Sequence, residues 1–302
     1  MKILITGASG QLGTELQRQL KEGGSSLGPL PERLKNATVL STDVPELDIT
    51  DRTATIAFVR RHQPDTIISC AAFTNVDGCE TNPEAAFKVN AIGASNLAQA
   101  AERINARLIH VSTDYVFRGE GDKPLDESER VDPKSVYGKT KALGEEYVKN
   151  FCHRYFIVRT AWLYGYAGKN FVKTIVNAGK KFGKLEVVSD QLGNPTNAED
   201  LAHHILQLAV SHDYGVYHCT GEGVCSWYDF AKEIIRLAGV DAEVSPCTSA
   251  EYAAKHPAAA NRPAWSALEN RMLACTVGNE MRPWQDALKC YFDHWDGENG
   301  LK

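Results

Sequence analysis

Two side chains near the middle of the chain are spaced for acid–base chemistry. Tyr137 and Lys141 are four residues apart in a segment with helical character, so both lie on one face of a helix, one turn apart. An ammonium close to a phenol favours the phenolate and lowers the phenol's pKa, which is ordinarily about 10. The spacing predicts a tyrosine that exchanges a proton near neutral pH. Non-catalytic amphipathic helices carry the same spacing, so the prediction depends on neighbouring motifs.

The beginning of the chain predicts a phosphate site. An apolar strand at 2–6 runs directly into a turn with glycines at 7, 10 and 13, and leucines then repeat at helical spacing. Small residues let the backbone approach a pyrophosphate, and a helix N-terminus offers N–H groups and a positive dipole end. The glycine spacing differs from the commoner Gly-x-Gly-x-x-Gly, so a simple tight turn is the alternative. The position after the first strand favours phosphate binding.

Strand and helix patterns alternate through the first half of the chain. Apolar runs predict strands at 38–42, 65–70, 107–112 and 156–159, and helical periodicity predicts helices at 51–62, 83–104 and 133–150. Such βα units indicate the α/β class, with a Rossmann-type doubly wound parallel sheet covered on both faces. The stretch 22–36, rich in Gly, Ser and Pro, is expected to be an exposed loop without an assigned purpose.

This pattern also predicts the division of the chain. We expect residues 1–160 to form the dinucleotide-binding domain that carries the Thr/Tyr/Lys site. Residues 161–302 are expected to form mainly a smaller substrate-binding subdomain, with some segments returning to the Rossmann sheet.

Ligands of such sheets bind beyond the carboxyl ends of the strands, and Asp43 ends the second predicted strand. A carboxylate there accepts hydrogen bonds from an adenosine ribose and repels a 2′-phosphate. The following residues, Val44 to Glu46, include no arginine that would attract that phosphate, so Asp43 favours NADH. The alternative is a solvated turn aspartate. Asp48 is expected near the adenine.

Composition limits the class of protein. The 302 residues are 43% hydrophobic and carry a formal net charge of −5 without a basic block, so neither nucleic acid nor an anionic membrane is an expected partner. The eight cysteines form no Cys-x-x-Cys motif and no zinc-site spacing, and we expect Cys70 to be a small core residue. Without a secretory segment or an 18-residue apolar stretch, a cytoplasmic protein is the simplest interpretation.

Further motifs extend over nearly the whole chain. The most specific are Ser112-Thr113-Asp114-Tyr115-Val116-Phe117 and Asp190-Gln191-x-Gly193-x-Pro195-Thr196. Others are Ala71-Ala72-Phe73, Tyr137-Gly138-x-x-Lys141, Arg159-Thr160-x-Trp162, Asn170-Phe171, Ser226-Trp227-Tyr228 and Arg262-Pro263. On these motifs the sequence resembles the dTDP-4-dehydrorhamnose reductases, a family of extended short-chain dehydrogenase/reductases.

The resemblance implies reduction of the C4 ketone of dTDP-4-dehydro-L-rhamnose to dTDP-L-rhamnose, a step of cell-surface polysaccharide biosynthesis. Tyr137 would donate the proton, Lys141 would lower the phenol's pKa and reach the nicotinamide ribose, and Thr113 would hydrogen-bond the developing oxyanion. The implied cofactor is NADPH or NADH, and Mg²⁺ is possible by the resemblance alone. A homodimer is a further possibility.

The resemblance also implies two sets of binding residues. The cofactor set is Gly7, Gly10, Gln11, Leu12, Gly13, Asp43, Asp48, Ile49, Ala71, Ala72, Phe73, Tyr137 and Lys141. The substrate set is Thr113, Asp114, Trp162, Asn170, Gln191 and Arg262. Trp162 would present an apolar face, and Arg262 suits bidentate phosphate contact. Trp227 is interpreted as core packing, and the adjacent His203 and His204 as structural residues.

Two alternatives remain open at this stage. The first is another nucleotide-sugar enzyme, an epimerase or a dehydratase, which shares the Tyr-x-x-x-Lys chemistry but recycles its cofactor. The second is a non-catalytic cofactor-binding subunit that resembles the regulatory subunit of methionine adenosyltransferase. The intact set of Thr113, Tyr137 and Lys141 favours catalysis.

Overall fold

A six-stranded parallel sheet forms the centre of the molecule. The structure, a computed structural model, describes residues 1–256, 260–298 and 300–301. Its strands are β1 (Lys2–Thr6), β2 (Gly24–Ser25), β3 (Gly28–Pro29), β4 (Thr38–Thr42), β5 (Thr66–Ser69), β6 (Arg107–Thr113), β7 (Tyr155–Thr160), β8 (Leu163–Tyr164), β9 (Lys184–Val188), β10 (Leu192–Gly193), β11 (Thr196–Asn197), β12 (Gly215–His218), β13 (Cys225–Ser226) and β14 (Glu243–Cys247).

Helices cover this sheet and build the second half of the chain. They are α1 (Gln11–Glu22), α2 (Arg52–His62), α3 (Val76–Thr81), α4 (Pro83–Phe87), α5 (Ala94–Arg103), α6 (Val136–Phe151), α7 (Phe171–Phe182), α8 (Ala198–Leu208), α9 (Trp227–Ala238), α10 (Ser249–Lys255), α11 (Arg271–Cys275) and α12 (Trp284–His294). The predicted helix at 83–104 is α4 and α5 joined by a π-helical turn at Lys88–Gly93. The four predicted strands are confirmed to within one residue at each end.

The order of the strands places a crevice at the carboxyl ends of the strands. The order is β12-β7-β6-β5-β1-β4, and every neighbouring pair is parallel. The chain leaves β1 for β4 on one side and then crosses to β5 on the other side. This reversal is a topological switch point, beyond which doubly wound sheets bind their ligands. The predicted α/β class and doubly wound sheet are therefore confirmed.

Both faces of the sheet are buried because side chains alternate along each strand. Ile3 and Ile5 pack on one face with helices α1 and α8. Leu4 points to the other face, where it joins a cluster that includes Leu97 of α5 and Val148 of α6. Burial on both faces explains why the strands read as continuous apolar runs.

The second half of the chain packs around a separate aromatic cluster. Tyr164, Phe230, Trp284 and Tyr291 are all buried in it. Only short two-stranded sheets occur there in the described ranges, namely β8/β11, β10/β13 and β9/β14. Strand β12 is the exception, because it pairs with β7 and completes the central sheet.

The stretch 22–36 is only in part the exposed loop that its composition predicts. Strands β2 and β3 form a short hairpin, and Leu30 and Leu34 are buried in the core beside the sheet. The Ser26 amide donates to Glu199 Oε1 of α8 at 3.0 Å. The two leucines were the signal for burial, and the turn-forming residues around them obscured it.

Candidate functional site

A cavity of about 800 Å³ opens at the carboxyl ends of the central strands. Every predicted cofactor residue lines it, together with three predicted substrate residues, Thr113, Asp114 and Trp162. The lining comes from the turns after β1, β4, β5, β6 and β7 and from the start of α6. Tyr137 and Lys141 therefore line the same cavity as the glycine turn.

The glycine turn after β1 is held too closely for any side chain. Gly7 has φ of +68°, and a Cβ there would lie 2.7 Å from the Ala71 amide nitrogen. A Cβ on Gly13 would lie 2.4 Å from the Gly7 carbonyl oxygen. The N-cap of α1 is Gly10, which supplies no side-chain cap, and the first turn contains no acidic residue. This helix N-terminus therefore suits an anionic ligand.

Asp43 stands at the end of β4 and contacts the same turn. Its Oδ2 accepts a hydrogen bond from the Ser9 amide at 3.0 Å, and the side chain is half-buried at the cavity wall. One carboxylate oxygen can thus position the glycine turn while the other faces a ligand. Asp48 and Ile49 line the same region, and the Asp48 carboxylate accepts from the Thr50 amide at 2.9 Å.

The phenol of Tyr137 is desolvated at the cavity wall. Ser135 caps α6 by accepting from the Gly138 amide, so Tyr137 lies in the first turn. Burial raises the pKa of Tyr137 above its ordinary value, and interaction with the Thr113 hydroxyl only partly opposes this shift. The lower phenol pKa that the spacing predicts is therefore wrong for this state, because desolvation of the phenolate is the largest effect and Lys141 is not among the causes of the shift.

The ammonium of Lys141 is held by the strand that carries Thr113. Its Nζ donates to the Val111 carbonyl at 2.6 Å and lies 3.4 Å from His110 Nε2. Burial lowers the pKa of Lys141 to about 8, although the Glu145 carboxylate opposes the shift. Lys141 is therefore the group at this site whose charge changes just above neutral pH.

Asp114 is a buried carboxyl at the cavity wall. It is 2% exposed, and its Oδ1 accepts from the Thr113 hydroxyl at 2.8 Å. Burial raises the pKa of Asp114 to about 6, while the nearby hydroxyls of Thr113 and Ser266 lower it in part. Its Oδ2 is buried without a hydrogen-bond partner, which leaves an acceptor available at the site.

A buried ion pair supports the strand and the helix that carry these groups. Glu145 of α6 accepts from the Ser112 hydroxyl at 2.6 Å and from Arg159 Nη2 at 2.7 Å. Arg159 and Glu145 are 2% and 1% exposed at their side chains. The pair connects β6, α6 and β7 directly behind Thr113 and Lys141, and its fixed geometry restrains both of those residues.

The family of the chain follows from comparison with known proteins. A family model described as "RmlD substrate binding domain" matches residues 1–296. The chain belongs to this family. The match extends over nearly the full length of the chain.

Solved structures are similar to the chain over almost its whole length. One, from Clostridium acetobutylicum ATCC 824, is described as a dTDP-4-dehydrorhamnose reductase, with 49% identity, a TM-score of 0.90 and coverage of 97% of this chain and 99% of that chain. Another is the dTDP-4-dehydrorhamnose reductase of Bacillus anthracis str. Ames in complex with NADP, at 38% identity, a TM-score of 0.89 and coverage of 97% and 98%.

A curated relative is similar at a comparable level. The spore coat polysaccharide biosynthesis protein SpsK of Bacillus subtilis strain 168 is 40% identical over 290 residues, which cover 96% of each chain. The family membership therefore rests on both sequence and fold.

Among the predicted substrate residues, Trp162 of the family motif lies at the main cavity beside an unexpected partner. Its ring stacks on that of Trp227, with centroids 3.5 Å apart and an interplanar angle of 9°. Both rings line the cavity. Trp227 also packs against the aromatic cluster, as its interpretation as core packing predicts. Trp162 has φ of +48°, a conformation that costs a side-chain-bearing residue about 1–2 kcal/mol.

The remaining predicted substrate residues are not brought to the main cavity. Asn170 caps α7, and its Nδ2 donates to Gln11 Oε1 at 3.0 Å. Gln191 is buried and donates to the Ser249 hydroxyl at 2.9 Å. Arg262 pairs with Asp77 at 3.2 Å and lines a second cavity of about 290 Å³, which shares Tyr115 with the first. The substrate roles of Asn170, Gln191 and Arg262 stay predictions.

Sequence patterns missed several residues that line or support the site. Cys70, expected in the core, lines the cavity, where burial raises its thiol pKa to about 12. His110 touches Lys141 from the strand, and Glu145 supports the helix. The place of Cys70 directly after a strand could have predicted that it lines the cavity. For Glu145 the only such signal in the sequence was its position one helical turn after Lys141.

Metal binding, implied by the resemblance alone, finds no matching donor set. Within residues 1–256, 260–298 and 300–301, no group of three or more His, Cys, Asp or Glu is placed to hold a metal ion. The buried acids Glu15, Glu199 and Asp200 are paired with Arg18 and Arg282. His204 accepts from the Glu280 amide, in agreement with a structural role. No helix in the same described ranges is long and apolar enough to cross a membrane.

Proposed function

We propose that the protein reduces the C4 ketone of dTDP-4-dehydro-L-rhamnose to dTDP-L-rhamnose with NADPH or NADH. The observation that carries the proposal is the meeting of Thr113, Tyr137 and Lys141 in one cavity with the glycine turn and Asp43. The 49% identity to a protein described as a dTDP-4-dehydrorhamnose reductase supports the choice of substrate. The product would enter dTDP-rhamnose biosynthesis.

The proposed cofactor site fits a dinucleotide. The glycines Gly7, Gly10 and Gly13 line the cavity, and glycines in such a turn let the backbone approach a pyrophosphate. Asp43 would accept from the adenosine ribose, and Ala71 and Phe73 would form the wall after β5. The Bacillus anthracis relative binds NADP, whereas no arginine occurs among the described residues that line this cavity. We propose that either cofactor is accepted, and that Asp43 favours NADH.

When bound, the reduced nicotinamide supplies the hydride for the carbonyl carbon. The residues of the chain then manage the charge that develops on the carbonyl oxygen. Tyr137 donates its proton to this oxygen, and its raised pKa keeps the phenol protonated until a strong base, the sugar alkoxide, forms. Lys141, fixed by the Val111 carbonyl, adds positive charge beside the reacting groups, and Thr113 offers a hydroxyl to the oxyanion.

The proposal is tested by incubation of purified protein with dTDP-4-dehydro-L-rhamnose and each reduced cofactor. We expect stoichiometric loss of the near-ultraviolet absorbance of the reduced nicotinamide and formation of dTDP-L-rhamnose. An epimerase or dehydratase would recycle its cofactor, and a regulatory subunit would bind it without oxidising it. Absence of net oxidation with both cofactors would refute the reductase proposal.

Two further parts of the proposal concern the state of the protein. We propose a cytoplasmic location, which fits a nucleotide-sugar substrate and eight cysteines that are all free in the structure. A homodimer remains a prediction, and sedimentation of the purified chain would test it.

A further inference from the structure

The hydroxyl of Thr113 is already committed to protein partners. It donates to Asp114 Oδ1 at 2.8 Å and accepts from the Tyr115 amide at 3.2 Å. The same hydroxyl interacts with Tyr137, whose pKa it lowers in part. A threonine hydroxyl has one proton and two lone pairs. In this arrangement Thr113 therefore has no proton left for a substrate oxygen.

The partner that takes this proton is an ionised carboxylate. An ionised aspartate only accepts hydrogen bonds, whereas a protonated one also donates. If Asp114 carries a proton, it can donate to Thr113 Oγ1, and the Thr113 proton then turns toward the cavity.

We propose that Asp114 is a positioning residue that sets the direction of the Thr113 proton, and that Thr113 serves as oxyanion donor only when Asp114 is protonated. This inference rests on the proposed reductase function. It assigns to Asp114 a role beyond the substrate contact that the resemblance implies. The carboxyl is suited to it because Oδ1 already lies 2.8 Å from the Thr113 hydroxyl oxygen, so a proton on Oδ1 reverses that hydrogen bond without movement of either side chain.

The surroundings of Asp114 allow it to titrate in the relevant range. The ionisable groups that face it are Tyr115 on the same turn and Tyr137 on α6, both phenols whose pKa is raised by burial. The cation of Arg262 and the carboxylate of Asp77 act on Tyr115 from its other side. The Ser266 hydroxyl is a neutral neighbour. With a pKa raised to about 6, Asp114 takes up a proton as the pH falls from neutrality.

The first test is the pH dependence of kcat at saturating substrate and cofactor between about pH 5.5 and 7.5. We expect the kcat of the native protein to rise severalfold as the pH falls through the pKa of Asp114. Asp114→Asn supplies a neutral amide that donates to Thr113 at every pH, so this rise should disappear while turnover persists. Asp132→Asn, which removes an exposed carboxylate outside the cavity, is the matched control and should keep the native profile.

The second test measures the carboxyl itself, by ¹³C NMR titration of Asp114 in the protein without ligands. The Thr113 hydroxyl lowers the pKa of Asp114, so Thr113→Val should raise that pKa and Thr113→Ser should restore it. An Asp114→Asn profile with the native rise, or an Asp114 titration unchanged in Thr113→Val, would overturn the inference. Either result leaves the reductase proposal intact, provided that the native protein still oxidises the reduced cofactor.

Discussion

The two halves of the chain build their parts of the cavity by different means. In the first half, a regular parallel sheet places the glycine turn, Asp43 and Thr113 together at the carboxyl ends of its strands. In the second half, short strand pairs and aromatic contacts place Trp162 against Trp227. The first half repeats one supersecondary unit, so a residue's position along its unit predicts its position in space. The second half has no such repeat, and its side chains depend on distant partners.

The largest expected effect is in the first half, at Tyr137. Tyr137→Phe removes the proton donor but keeps the ring that packs edge-on against Tyr115, so kcat should fall by about 10²–10⁴-fold. Steady-state kinetics at saturation measure this. Tyr147→Phe, on the same helix but stacked on Phe151 outside the cavity, should retain native kcat. Full turnover in Tyr137→Phe would remove the acid role.

The next effect concerns the rigidity of the first half. Glu145→Gln leaves the Arg159 charge buried without its counterion, so the free energy of unfolding should fall by about 3–5 kcal/mol. Urea denaturation measures the loss. Glu146→Gln is the neighbouring control, since that exposed carboxylate pairs only with Lys149 in the described contacts and should change stability by less than about 1 kcal/mol. Equal stabilities for the two variants would show that the buried pair does not hold the site.

In the second half, the corresponding change is Trp162→Ala. Loss of the ring removes an apolar surface worth about 1.5–3 kcal/mol when buried, so the KM for the nucleotide sugar should rise by about tenfold to a hundredfold. The KM for the cofactor should change little in the same assay. Trp265→Phe alters an aromatic ring outside the main cavity and should leave both constants near native. If Trp162→Ala raised the KM for the cofactor more than the KM for the sugar, the assignment of substrate binding to the second half would be wrong.

A smaller effect is expected for cofactor choice. Asp43→Asn keeps an acceptor for the Ser9 amide but removes the charge that repels a 2′-phosphate. The ratio of kcat/KM for NADPH over NADH should rise by about tenfold, which corresponds to a free-energy difference of roughly 1.4 kcal/mol. Glu46→Gln changes a nearby acid outside the cavity lining and should leave the ratio unchanged. If Asp43→Asn has no effect on the ratio, Asp43 does not contact the ribose.

The smallest effect is expected at Gln191. The side chain donates to Ser249 and does not line the main cavity, so Gln191→Ala should change the KM for the sugar by less than about threefold. Loss of one internal hydrogen bond should lower stability by about 1 kcal/mol. A large rise in the KM for the sugar with unchanged stability would show that Gln191 contacts the substrate.

Local sequence patterns were sufficient to predict much of the first half of the chain. Alternating strands and helices, the turn from Gly7 to Gly13 and the acid after β4 could be predicted because each depends on neighbouring residues along the chain. The buried loop leucines Leu30 and Leu34 were not predicted, since their partners on α8 follow about 170 residues later in the sequence.

By itself, then, the sequence determined the α/β class, the set of residues at the sheet edge and the chemistry that those residue types allow. Only the tertiary structure decided the sign of the Tyr137 pKa shift, since desolvation depends on everything that packs around the phenol. It also decided that Trp227 shares the cavity while Asn170 and Gln191 do not. These outcomes depend on contacts between remote segments, which no local periodicity encodes.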